Sequence, residues 1–180
     1  MATAAAPRYA IRLIHPDDGC NALRLGDAAF APLKAFLKGQ AKRYHKANLA
    51  RTFVVVEEGQ TRVVAYATIL CTQVKVTDVQ APEGEAEFPY GDFPALRLAR
   101  LAVDSRLQGG GMGSMLVDFI MSIARDQIMP NAGCRFLILD AKPQSVAFYR
   151  KKGFSAIGQV PDGEGATTLM FVDLHRLTDE

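Results

Sequence analysis

The stretch from residue 108 to residue 113, QGGGMG, constrains this chain more than any other feature of its sequence. Four of the five positions from 109 to 113 are glycines, and they follow the strand-like run LARLAV. After them, apolar residues recur at three- and four-residue intervals, which predicts an amphipathic helix. A turn needs one or two glycines, so a longer stretch without side chains indicates backbone N–H groups that face a ligand. We call residues 108–113 the glycine loop.

A strand, a glycine-rich turn and a helix N-terminus together form an arrangement that binds phosphate groups. The dinucleotide fingerprint requires a third glycine where Ser114 stands, counting from Gly109 and Gly111. The nucleoside-triphosphate loop requires Gly-Lys-Ser/Thr, which does not occur in this sequence. The remaining pattern, Gln/Arg-x-x-Gly-x-Gly/Ala, fits Gln108, Gly111 and Gly113. A merely flexible connection would give no reason for a helix to start directly afterwards.

The rest of the sequence predicts a mixed order of strands and helices. Strands are predicted at 8–14, in a hairpin within 51–71, and at 95–103, 135–141 and 166–174; helices are predicted at 27–45, after the glycine loop and at 143–154. Asp17 or Asp18 is expected to cap a helix, Pro130 and Gly133 to end the second one, and residues 78–94 to form a long loop. Several consecutive strands predict an α/β fold with a part antiparallel, part parallel sheet, in one domain over residues 1–180.

Composition excludes several classes of protein. The chain is 49% apolar and 22% charged, which is typical of a globular protein, and its formal charge of +2 favours no partner strongly. The three cysteines, Cys20, Cys71 and Cys134, form no CxxC pair, so neither a disulfide framework nor a metal site is expected. No signal peptide and no membrane-spanning run is recognised. The sequence therefore predicts a cytoplasmic protein that does not engage a membrane.

The run RLAVD, the glycine loop and the later run AFYRKKGF resemble the acetyl-CoA-binding loop and the Phe-Tyr-x-x-x-Gly-Phe motif of GNAT superfamily N-acetyltransferases. The resemblance covers roughly residues 8–173. It implies the GNAT fold, a central mixed and twisted sheet flanked by helices, and an enzyme that uses acetyl-CoA. The cofactor-binding residues that it implies are Leu101, Ala102, Val103, Gln108, Gly109, Gly110, Gly111, Met112, Gly113 and Ser114.

The resemblance also implies how the chemistry is divided. Backbone N–H groups along Leu101–Val103 would stabilise the thioester oxygen at a splay in the sheet, and Tyr149 matches the tyrosine that protonates the departing sulfur. A phenol with an ordinary pKa near 10 is protonated at neutral pH, as an acid must be. The alternative for Tyr149 is a half-buried aromatic residue that serves packing alone.

No general base is evident in the sequence. His15, His45 and His175 lie away from the motifs and are interpreted as surface histidines, and Glu83, Glu85 and Glu87 as solvated loop charges. An α-amine titrates near pH 8, so an appreciable fraction is neutral without a base, unlike a lysine side chain.

Two segments resemble a particular branch of the family. FLKGQAKRYHKANLARTFVVVEEGQTRVVAYATI and RLARLAVDSRLQGGGMG are similar to GNAT toxins that acetylate the α-amino group of aminoacyl-tRNA. Gly110 stands where lysine is frequent in that branch, and Ala65 where glycine is usual. The resemblance implies inhibition of translation and a small antitoxin with a basic DNA-binding region. GNAT proteins are often homodimers, but the sequence identifies no interface.

The candidate tRNA-binding residues are cations. Lysines recur every four residues from Lys34 to Lys46, which predicts a row along one helix face that could follow a phosphate backbone. The full set is Lys34, Lys38, Lys42, Arg43, Lys46, Arg100 and Arg150. A solvated helix face is the plain alternative, and three other functions stay open at this point: acetylation of a small-molecule amine, acetylation of a protein amino group, and a non-catalytic acyl-CoA-binding regulatory domain.

Overall fold

The computed structural model describes residues 7–75, 79, 91–158 and 165–177. Its strands are β1 Tyr9–Leu13, β2 Arg51–Glu57, β3 Val63–Lys75, β4 Asp92–Val103, β5 Phe136–Ala141, β6 Ser155–Ala156 and β7 Thr168–Asp173. They form a sheet in the order β1-β2-β3-β4-β5-β7-β6. β4 and β5 are parallel, whereas the β1–β2, β2–β3, β5–β7 and β6–β7 pairs are antiparallel. The predicted mixed sheet is confirmed, and the short β6 was not predicted.

The helices are α1 Ala31–Gly39, α2 Ala41–Lys46, α3 Met112–Ser122, α4 Met129–Ala132 and α5 Pro143–Lys151. A π-helical stretch, Ile123–Ile128, connects α3 to α4. Pro130 lies in the first turn of α4, where its missing N–H is tolerated, so the prediction that it ends the helix is wrong. Gly133 ends α4 in the left-handed conformation, with a φ of 62°, as predicted.

The chain divides into two compact units, of which the first comprises Met1–Ile69 and Arg100–Leu116. It contains β1, α1, α2, β2, the glycine loop and the start of α3. Its core combines apolar side chains of β2 and β3 with Phe36 and Leu37 of α1 and with Leu23, all of them buried. Tyr66 is fully buried in this core, and its hydroxyl donates to the Leu33 carbonyl at 2.7 Å. Burial of these side chains is the main stabilising contribution within the unit.

The second unit comprises Leu70–Ala99 and Val117–Glu180. It contains β5, α5, β6 and β7, and its core cluster is built around Phe136 and Ile138 of β5, which are almost completely buried. A run of apolar residues buried on both faces is typical of a central strand, as the sequence predicts for β5. Within this unit Arg135 pairs with Asp173 at 2.7 Å.

Two predictions about the segment before β2 are wrong. The single helix expected over 27–45 is divided into α1 and α2 at Gln40, whose φ and ψ are −126° and −31°. Asp18 caps no helix, because its carboxylate instead receives Arg12 of β1 at 2.6 and 2.8 Å and the His15 N–H at 2.7 Å. The residue that caps is Asp27, which accepts from Ala29 N at 2.8 Å and starts a short 3₁₀ turn before α1.

The long loop predicted at 78–94 ends earlier than expected, because β4 already begins at Asp92. Residues 80–90, which include Glu83, Glu85 and Glu87, lie outside the described residues. Across the described ranges, no helix is both long and apolar enough to cross a membrane. In the same ranges, no group of three or more His, Cys, Asp or Glu side chains is placed to hold a metal ion.

Candidate active site

The glycine loop has a backbone that L-amino acids with side chains rarely adopt. Gly109 and Gly111 both have a φ of 82°, in the left-handed region that favours glycine. A Cβ atom at either position would meet nothing within 4 Å, so the space beside the loop is open. At Gly110 a Cβ atom would lie 3.4 Å from the Leu107 carbonyl oxygen. The loop is exposed along residues 108–111 and presents bare backbone.

Helix α3 begins directly at the end of this loop. Met112 is buried, and Met115 N donates to the Gly111 carbonyl at 2.9 Å, the first turn of the helix. Gly113 and Ser114 lie in that turn. The first N–H groups of a helix point along its axis, out of its N-terminal end, and carry the positive end of its dipole. A glycine-lined turn leading into such a helix start can accept the oxygens of a phosphate group without steric obstruction.

Asp104, to which the sequence motifs assign no role, fixes the turn that leads into the loop. Its carboxylate is buried and accepts four hydrogen bonds: from Arg106 N at 3.1 Å, from Arg106 Nε at 2.8 Å and Nη2 at 2.7 Å, and from Arg24 N at 3.1 Å. The Arg106 side chain is the main reason why the pKa of Asp104 lies well below its usual range. An aspartate that caps a 3₁₀ turn is recognisable from sequence, but its contact with Arg24, 80 residues away, is not.

The strand that precedes the loop carries the residues expected near the thioester. Gln108 is tied back to it, because its side-chain amide donates to the Val103 carbonyl at 3.1 Å. Ala102 is buried, and Leu101 and Val103 are half-buried. The parallel pairing of β4 with β5 runs from Ala95–Phe136 to Arg97–Ile138, so the last six residues of β4 extend beyond it.

Tyr149 lies in the second unit, on α5. Its side chain is buried and contacts the rings of Phe148 and Phe154, at centroid distances of 5.0 and 5.8 Å. Burial raises the pKa of Tyr149 to about 12. No other described residue makes a hydrogen bond with its hydroxyl. Gly153, with a φ of 87°, ends the helix and lets Phe154 fold back so that its N–H donates to the Tyr149 carbonyl at 3.1 Å.

The row of lysines predicted on one helix is interrupted. Lys34 and Lys38 lie on α1, whereas Lys42 and Lys46 lie on α2, beyond the break at Gln40. Lys42 is also engaged within the protein: its Nζ donates to the Pro16 and Asp18 carbonyls at 2.6 and 2.8 Å. The expectation that the four lysines follow one continuous helix is therefore wrong, and a contact of Lys42 with tRNA stays a prediction.

The other predicted cations have different surroundings. Lys38, Arg43 and Lys46 are exposed, and Lys34 is half-buried. Arg100 of β4 is half-buried, and its Cζ lies 3.7 Å from the centroid of the Phe36 ring, a close cation–π contact. Arg150, on α5 in the second unit, is exposed.

The three histidines have different surroundings. His45, interpreted from the sequence as a surface histidine, is half-buried, and its Nδ1 accepts from Thr52 N at 3.2 Å, which ties α2 to β2. Burial, together with the nearby Arg51, lowers the pKa of His45. His15 is exposed and pairs with Asp17 at 3.3 Å, and His175 is exposed in the second unit.

A mixed sheet in which β4 leads through a glycine-rich turn into the following helix is the arrangement of the GNAT class of acetyltransferases. The chain belongs to that family: the family model described as "Acetyltransferase (GNAT) domain" matches residues 49–156. The predicted fold class, the predicted acetyltransferase activity and acetyl-CoA as the donor are thereby confirmed.

Two toxins of this family are similar to this chain over most of its length. The probable toxin TacT of Sinorhizobium fredii is 27% identical over 137 residues, which are 70% of this chain and 74% of TacT. AtaT complexed with acetyl-methionyl-tRNAfMet superposes with a TM-score of 0.81 at 21% identity, over 95% of this chain and 98% of that one. A point variant of the AtaT toxin bound to the C-terminus of the antitoxin AtaR and acetyl-CoA superposes with a TM-score of 0.70 at 20% identity, over 96% and 99%.

Proposed function

We propose that this protein transfers the acetyl group of acetyl-CoA to the α-amino group of an aminoacyl-tRNA and so inhibits translation, as the toxin of a toxin–antitoxin pair. The main support for aminoacyl-tRNA as the acceptor is the likeness, over nearly the whole chain, to AtaT in complex with acetyl-methionyl-tRNAfMet. The relative named as a probable toxin supports the same class. The proposal treats residues 1–180 as one acetyltransferase domain, because the family match includes residues of both compact units.

The donor would bind through backbone atoms. The N–H groups of the glycine loop and of the first turn of α3, from Gln108 to Ser114, would receive the pyrophosphate, and Leu101–Val103 would line the thioester. This assignment is supported by the left-handed Gly109 and Gly111 and by the open space beside them. Donors that are already fixed in place need no rearrangement when charge develops on the ligand.

The transfer would proceed by direct attack. The neutral amine nitrogen forms a bond to the thioester carbon, the C–S bond breaks, and the sulfur takes a proton from the Tyr149 hydroxyl. The proton lost from the attacking nitrogen passes to water, since an α-amine with a pKa near 8 needs no strong base, and water returns a proton to the Tyr149 oxygen. Because its pKa is raised to about 12, Tyr149 stays protonated over the whole range in which the amine becomes neutral. Turnover should therefore rise with pH, reach half its maximum near the amine pKa of about 8, and level off above about pH 9, as a pH–rate profile would measure.

The acceptor would be held by cations. Lys34, Lys38, Arg43 and Lys46 supply side chains on α1 and α2, and Arg100 and Arg150 are further candidates, whereas Lys42 is left out because it is bound to backbone carbonyls. A tRNA carries phosphates that such side chains can neutralise. The structure of AtaT with the C-terminus of AtaR supports an antitoxin as the partner, and the family resemblance implies that it is small and binds DNA. Aminoacyl-tRNA as substrate would place the protein in the cytoplasm, and a homodimer is compatible with the proposal.

The test is acetylation of a charged tRNA pool in vitro, with acetyl-aminoacyl-tRNA detected by mass spectrometry and thiol release measured in parallel. Tyr149→Phe should lower turnover about 10²-fold or more, since it removes the acid but keeps the ring. Tyr44→Phe is the matched control, because Tyr44 packs against Phe36 in the first-unit core, and it should retain wild-type turnover. Growth arrest on induced expression should disappear with Tyr149→Phe and persist with Tyr44→Phe.

Two results would redirect the proposal. Acetylation of a small amine or of a peptide amine in preference to every aminoacyl-tRNA would assign a different acceptor to the same donor site. Binding of acetyl-CoA without thiol release, over a broad panel of amines and charged tRNAs, would instead favour a regulatory domain. Wild-type turnover by Tyr149→Phe would remove Tyr149 from the mechanism and leave the acceptor assignment untouched.

A further inference from the structure

The glycine loop is joined to a segment that lies far from it in sequence. Residues 23–26, which we call the entry segment, lead through the cap Asp27 into α1. The backbone of Arg24 makes two hydrogen bonds with the residues that connect β4 to the loop: its N–H donates to Asp104 Oδ2 at 3.1 Å, and its carbonyl accepts from Ser105 N at 2.7 Å. Both partners of each bond belong to the first unit.

The entry segment is fixed on its other side as well. Leu23 is completely buried and Leu25 packs against the same core cluster, so the backbone of Arg24 is held facing Asp104. Gly26 has a φ of 76°, and a Cβ atom there would lie 3.6 Å from the Ser105 Cβ. The segment therefore has little freedom to move without moving residues 104 and 105.

Asp104 transmits this contact to the glycine loop. Its own N–H donates to the Val64 carbonyl at 2.8 Å, and its carbonyl accepts from Leu107 N at 2.8 Å, which closes the turn that precedes Gln108. The Arg106 side chain grips the carboxylate through two nitrogens, so the carboxylate cannot rotate away from Arg24. A buried carboxylate with four donors is a rigid junction.

We propose that Asp104 is a positioning residue that locks the entry segment to the glycine loop, so that cofactor binding and the placement of α1 depend on each other. Asp104 touches neither reactant in this scheme; it acts through the backbone of the loop. The consequence for the acceptor rests on the proposed function, because α1 carries Lys34 and Lys38, whereas the consequence for the cofactor requires acetyl-CoA alone.

The chain contains a matched control for this junction. Asp18 is also a buried aspartate of the first unit that receives an arginine through two nitrogens and one backbone N–H. In both Asp104→Asn and Asp18→Asn, an amide group would face arginine donors and lose the ion pair. Both variants should therefore lose thermal stability. A loss of CoA affinity in Asp104→Asn but not in Asp18→Asn would identify a role of Asp104 beyond stability.

The decisive measurement is CoA binding by calorimetry together with hydrogen exchange of residues 20–27. Asp104→Asn should weaken CoA binding on the order of tenfold, whereas Asp18→Asn should bind like the wild type. In the wild type, CoA should slow exchange in residues 20–27, and Asp104→Asn should abolish that slowing. The proposal would be overturned if both aspartate variants lost CoA affinity equally, or if CoA left hydrogen exchange in residues 20–27 unchanged.

A second pair of variants approaches the junction from the other side and leaves the carboxylate intact. Gly26→Ala and Gly59→Ala place the same strain at φ values of 76° and 79°, but Gly59 lies in the β2–β3 turn with nothing within 4 Å. Gly26→Ala should weaken CoA binding severalfold and Gly59→Ala should not; equal affinities would contradict the lock. If CoA binding depends on Asp104 but the protein acetylates no aminoacyl-tRNA, the role of Asp104 is supported and the proposed acceptor is rejected.

Discussion

The glycine loop and the pair of helices α1 and α2 belong to the same unit, but they are built in different ways. The loop is defined by two left-handed glycines, by the Gln108 side chain that donates to the Val103 carbonyl, and by a preceding turn that Asp104 caps. The helices present exposed cations, and their alignment is interrupted at Gln40. The difference shows that the conformation of the loop is set mainly by its backbone, whereas the position of each cation on the helices is set by the contacts of its own side chain.

The largest expected effect is on the glycine loop. Gly111→Val places a β-branched residue at a φ of 82°, so the loop must leave its conformation. Affinity for CoA, measured by calorimetry, should fall about 10²-fold. Gly59→Val is the control, because Gly59 has a φ of 79° in an open turn away from the loop. If Gly111→Val bound CoA normally, the glycines would be a flexible connection after all.

The side-chain surface should respond to salt and to the choice of lysine. Wild-type affinity for tRNA should fall about 10²-fold between about 50 and 200 mM salt if some four phosphates are neutralised. Lys38→Ala should lower the logarithmic salt slope by about one, whereas Lys42→Ala should keep the slope and lower the melting temperature, because it releases the Pro16 and Asp18 carbonyls. A smaller slope in Lys42→Ala than in Lys38→Ala would reverse this assignment.

The smallest expected effect concerns acid stability. The pKa of Asp104 is lowered on folding, mainly by the Arg106 side chain, so its stabilising contribution is complete above the unfolded pKa near 4 and is lost as the pH falls through the lower folded value. The melting temperature of the wild type should therefore decrease below pH 4. Asp104→Asn has no such carboxylate, and its melting temperature should fall a few degrees less over the same range, as scanning calorimetry would show. Parallel curves would mean that Asp104 does not titrate with folding.

Features set by neighbouring residues could be predicted from sequence, and features set by distant ones could not. The glycine loop, the β2–β3 hairpin and the helix end at Gly153 follow from glycine chemistry and apolar spacing within short windows. The break at Gln40 could not be predicted, because apolar spacing continues across it while Lys42 is held by a turn more than 20 residues away. Asp18 resembles a helix cap in sequence, and its pairing with Arg12 of β1 emerges when the strand is in place.

The contact between Arg100 and Phe36 restricts the direction from which a ligand can be recognised. With its Cζ 3.7 Å from the ring centroid, the guanidinium has one flat face closed by the aromatic ring. All of its N–H bonds lie in the plane of the group, so an anion that forms hydrogen bonds with Arg100 must arrive edge-on. Because the Phe36 ring holds the guanidinium in this orientation, Arg100 favours anions that approach from one direction.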